Sequence, residues 1–91
     1  MKKEERMKQF TYVVQNAFGL HARPAALIAE QASVYPNTTI TITCGAETVA
    51  ASTLKLMTLG IKKGDTITLT CDGEYEQDAI EVVGELITNI L

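Results

Sequence analysis

From Phe10 to Gln15 the chain reads FTYVVQ, a run of β-branched and aromatic residues that stops at Asn16-Ala17-Phe18-Gly19. Such side chains suit a pleated surface, so a first strand is expected here. The period then changes. Ala25, Ile28, Ala32 and Tyr35 recur at i, i+3, i+7 and i+10, one face of a helix beginning at about Ala22. Pro24 fits the first turn, where its missing N–H would have no helical partner, and Pro36 ends the segment.

Isoleucine alternates with threonine from Thr39 to Thr43, the pattern of a strand with one dry and one wet face. A Gly45-Ala46 turn leads into a short third strand, and so brief a connection permits only a hairpin. Ser52 then reads as the N-cap of a short helix that Gly60 stops. Gly64 to Gly73 alternates again as a fourth strand, and Ile80, Val83, Ile87 and Ile90 mark one stripe of a closing helix.

The order β-α-β-β-α-β-α, with one apolar face per element, predicts an α+β open-faced sandwich: a four-stranded antiparallel sheet with three helices on one face. A ferredoxin-like split βαβ arrangement begins with the same order and stays open on pattern alone.

At 91 residues, 46% apolar and 21% charged, the chain matches a single globular domain spanning 1–91, with residues 1–9 expected to be a flexible N-terminal extension. Eight basic against eleven acidic residues give a net charge of −3, with no basic surface suited to nucleic acid or a membrane. The N-terminal basic residues precede no apolar stretch, and no apolar run approaches the roughly 20 residues a membrane span needs. The expected compartment is the cytoplasm. Cys44 and Cys71 lack a CxxC spacing and continue alternating apolar series, so they are expected to be reduced and structural. One histidine and scattered carboxylates make no metal shell, which argues against a divalent-metal hydrolase, and no GxxxxGK cradle marks a kinase.

The candidate chemistry sits at FGLHARPA. If the helix begins near Ala22, the amides of Ala22 and Arg23 lack carbonyl partners and lie beside His21. The helix dipole adds about half a positive charge there, and the Arg23 guanidinium matches phosphate oxygens. A free imidazole, with a pKa of about 6.5, is largely neutral near pH 7 and can attack phosphorus. An HxR pair is by itself weak evidence, and a histidine that only occupies the surface fits these residues equally well.

Gly19 to Ala25, "GLHARPA", resembles the active-site signature of the HPr family, the histidine-containing phosphocarriers of the bacterial phosphoenolpyruvate-dependent sugar phosphotransferase system. "MTLGIKKGD" and "DAIEVV" match later family motifs, and the similarity runs from about Phe10 to the C-terminus. The resemblance implies the open-faced sandwich rather than the ferredoxin-like fold. It also implies a carrier, not an enzyme, needing no cofactor: His21 is phosphorylated on Nδ1 by phospho-enzyme I and passes the group to sugar-specific enzyme IIA, with Arg23 assisting.

Ser52 matches a position that an HPr kinase/phosphorylase modifies in many Gram-positive relatives, creating a form that slows the relay and binds a catabolite-control repressor. Its flank, Thr53-Leu54-Lys55, departs from the apolar one common in the family. In the same short helix Leu56 and Leu59 make an inward pair, whereas Leu54 and Met57 could face outward as the docking surface for enzyme I and enzyme IIA. The alternative reading is a regulatory adaptor in carbon or nitrogen control that carries no phosphate for sugar uptake. The intact histidine motif argues for the carrier. Relay between two larger partners leads to the expectation of a monomer.

Overall fold

The computed structural model describes residues 7–91, so residues 1–6 of the expected N-terminal extension lie outside the described residues. The elements are β1 (Lys8–Val13), α1 (Ala22–Ala32), β2 (Thr38–Cys44), β3 (Glu47–Ala50), α2 (Thr53–Met57), β4 (Thr66–Gly73) and α3 (Glu76–Ile90). β1 opens earlier than Phe10, because Lys8 and Gln9 pair with Cys71 and Thr70. It also ends earlier than Gln15, whose amide turns with that of Asn16 to the Leu91 carbonyl.

All neighbouring strands are antiparallel, in the order β1-β4-β2-β3. β1 and β2 therefore run parallel with β4 between them, and α1 spans that split crossover. β1 lies at an edge and β4 inside, the reverse of the ferredoxin-like alternative. The register aligns the alternating sequences: Phe10, Leu69, Ile42 and Val49 form one row across the sheet on the helix side. One step along, Thr11, Thr68, Thr43 and Thr48 form a row on the open face. A slip of one residue in any strand would exchange hydroxyls for core side chains.

Ile28, Leu56, Ile42, Leu69, Val83 and Ile87 are fully buried between helices and sheet. Each such burial contributes about 1.5–3 kcal/mol. On α3 the buried positions are Ala79, Val83, Gly84 and Ile87, while Ile80 and Ile90 are only half-buried. The inward stripe is thus rotated from the expected Ile80-Val83-Ile87-Ile90. Gly84 lies on this side and packs against β1, where a Cβ would stand in ordinary contact with the Phe10 ring, 3.4 Å from its Cδ2.

α1 stops at Ala32, short of the expected Tyr35; that tyrosine, buried just beyond the helix, donates from its hydroxyl to Asp78 Oδ2 at 3.2 Å and ties the exit of α1 to α3. Burial, then the Asp78 carboxylate, raises its pKa above the usual phenol value. Cys44 and Cys71 are free thiols. Burial pushes the Cys71 thiol up to about 11, with Glu76 adding to the effect, and also raises Cys44. Both therefore stay protonated near neutrality. No helix is long and apolar enough to cross a membrane, and no three metal-ligating side chains cluster, among the described residues.

Candidate functional site

His21 is the residue immediately before α1, with an extended backbone (φ −113°, ψ −169°) and no side-chain capping bond. The first helical hydrogen bond runs from Ala25 N–H to His21 O at 3.0 Å. The amides of Ala22 and Arg23 thus have no helical carbonyl to reach, and Pro24 has no N–H. No acidic residue stands in the first turn, so nothing on the helix neutralises its positive end. His21, Ala22 and Arg23 are all exposed, whereas Pro24, Ala25 and Ile28 anchor the helix in the core. Among the described residues Arg23 forms no ion pair, which leaves its guanidinium uncommitted.

The loop before His21 is fixed at several points. Gly19 has φ +65°, and a Cβ there would overlap the Ile61 carbonyl and stand 2.9 Å from Lys62 Cα. Only glycine admits both that backbone and that approach. Leu20 is buried, and its amide donates to Ile61 O at 3.1 Å. Asn16 organises the loop start: Oδ1 accepts from Phe18 N–H at 2.8 Å, its carbonyl accepts from Gly19 N–H at 3.0 Å, and Nδ2 donates to Ile90 O at 3.0 Å. Phe18 is consequently held outward, 82% exposed, with its ring edge-on to His21 at a centroid separation of 6.2 Å.

Ser52 opens α2 as expected. Its Oγ accepts from Lys55 N–H at 3.4 Å, and Gly60 beyond the helix takes φ +62°. A groove of about 520 Å³ puts Ser52 and Thr53 beside Ala32, Ser33 and Tyr35, at the exit of α1. The segment after α2 instead meets Gly19 and Leu20 at the entrance of α1. Ser52 and His21 therefore lie at opposite ends of the two packed helices, roughly 15 Å apart for an eleven-residue helix. Leu56 is fully buried and Leu59 half-buried, while Leu54 and Met57 are 78% and 44% exposed.

Sequence reasoning overlooked two residues here, Phe18 and Asn16. The Asn-x-Phe-Gly spacing was the available signal: an asparagine accepting from the amide two residues on makes a turn. Which way Phe18 would face was not readable from that spacing.

The family model described as "PTS HPr component phosphorylation site" matches residues 8–89. The phosphocarrier protein HPr of Mycoplasma genitalium is 36% identical over 78 residues, 85% of this chain and 89% of that one. The HPr of Haemophilus influenzae is 40% identical over 73 residues, 79% of this chain and 85% of that one. Among solved structures, a Mycoplasma histidine-containing phosphocarrier protein superposes with a TM-score of 0.86 at 30% identity, covering 90% of this chain and 93% of that one.

Proposed function

Since the chain belongs to the HPr family of phosphotransferase-system phosphocarriers, we propose that His21 is the residue on which it carries the phosphoryl group. The observation that supports this most is the uncapped entrance of α1: an exposed imidazole over two unpaired amides, next to an uncommitted guanidinium and with no carboxylate in the turn. A ring nitrogen lone pair bonds to phosphorus as the bond between phosphorus and enzyme I breaks. The dianion then lies where the Ala22 and Arg23 amides and the Arg23 side chain favour it. The first turn of α1 offers no carboxylate to activate a water, so the arrangement suits onward transfer to enzyme IIA rather than hydrolysis. In this reading the carrier works in the cytoplasm as a monomer.

Ser52 is the second proposed phosphoryl site, regulatory and modified by an ATP-dependent kinase before recognition by a repressor. Its hydroxyl would have to leave the Lys55 amide to become a phosphoester, whose oxygens could then accept from the same amide. Leu54 and Met57 are the proposed apolar contacts for enzyme I and enzyme IIA. The deciding experiment combines phosphoenolpyruvate, enzyme I and this protein. One acid-labile phosphate per chain is expected. A chain that takes up none, beside an HPr control that does, refutes the relay.

A further inference from the structure

We infer that Phe18 is an anchoring contact between this chain and the proteins that exchange a phosphoryl group with it, and that those partners present an apolar socket beside their own reacting residue. The inference rests on the reading of His21 as the phosphoryl site and specifies the partner for that site.

Scattered exposed hydrophobic residues are ordinary on protein surfaces and need no explanation. Phe18 differs because of where it is held. Its ring centroid is 6.2 Å from that of His21. Direct transfer requires the partner's reacting atom to approach the phosphorus on His21 to about bonding distance, with reacting atoms first meeting at roughly 3–3.5 Å. No partner surface can come that close to the imidazole while leaving a side chain this near in water, so Phe18 is covered in every productive complex.

Nor can the ring withdraw. Asn16 accepts the Phe18 amide at 2.8 Å and is itself pinned to Ile90 O at 3.0 Å. Leu20 already fills the core position next to it, and Gly19 is wedged against Ile61 and Lys62. A solvated aromatic ring carried on a fixed backbone and desolvated on binding suits an interface hot spot, since no backbone freedom is lost when it docks. Leu54 and Met57 extend the apolar surface along α2, which packs against α1. Val34 and Tyr75, also strongly exposed, stand at the exit of α1 and the start of α3, and Met7, Val13 and Leu27 are exposed to a lesser degree.

The test measures initial rates of transfer from phospho-enzyme I, charged with phosphoenolpyruvate, to the wild-type chain and to Phe18→Ala and Phe18→Leu across carrier concentration. Phe18→Ala is expected to raise KM about ten- to a hundredfold while kcat changes less than about threefold, and Phe18→Leu to recover most of the loss. An unchanged denaturation midpoint for both variants would show that folding is not the cause. An unaltered KM for Phe18→Ala overturns the anchor, and so does a fall in kcat at constant KM. If the wild-type chain itself takes up no phosphate, the His21 reading fails and the anchor falls with it; normal wild-type uptake with an unaltered Phe18→Ala KM removes the anchor alone.

Discussion

The entrances of α1 and α2 share a backbone but not a chemical state. His21 and Ser52 are both extended residues immediately before a helix. The serine hydroxyl reaches back to accept from Lys55 N–H, whereas the imidazole of His21 caps nothing and stands in solvent. α3 shows a third state, with Glu76 and Asp78 in its first turn supplying negative charge to its positive end. Of the three helices among the described residues, α1 alone has neither a side-chain cap nor an acidic residue in its first turn. The residue before each of the α1 and α2 helices thus decides whether a first-turn amide is answered by a side chain of the chain itself or left open to an outside anion.

The strongest way to break the contrast is His21→Ala, which should abolish phosphate uptake from enzyme I completely. Persistent acid-labile label would mean that the two entrances do not differ as argued. Next, Gly19→Ala should destabilise the chain by about 2–4 kcal/mol, because a Cβ meets the Ile61–Lys62 backbone at a positive φ; a urea titration reads this directly. Equal midpoints for Gly19→Ala and the wild type would show that the loop before His21 is not locked. Arg23→Ala should slow transfer by roughly ten- to a hundredfold, the range for losing one charge-assisted bond to phosphate, with no change in the urea midpoint. Transfer at the wild-type rate would leave the two amides as the whole site.

Two smaller changes sharpen the comparison from either side. His21→Ser should be more stable than His21→Ala by about 1 kcal/mol, since it gives the α1 entrance the cap that α2 already has. Ser52→Ala should cost only about 0.5–1 kcal/mol, given the long 3.4 Å cap bond, and should leave His21 phosphorylation intact. Thermal melts of the two pairs check both signs, and a Ser52→Ala chain that no longer accepts phosphate on His21 would show that the entrances are coupled.

What the chain's pattern determined by itself was local. Alternation of isoleucine and threonine decides which side of β2 is dry, because successive strand residues point to opposite faces wherever the strand is placed. Proline, serine and glycine at Pro24, Ser52 and Gly60 likewise mark helix ends through their own backbone chemistry, and the HARP motif puts His21 at such an end. Tertiary structure decided whatever depends on partners distant in sequence. β4 comes to lie between β1 and β2, α3 buries Ala79 and Gly84 beside Val83 and Ile87 while Ile80 and Ile90 stay half-buried, and the Phe18 amide is tied to Asn16, itself bound to the carbonyl of Ile90. Periodicity carries no record of which face will meet which neighbour. That is settled when side chains seventy residues apart compete for the same space.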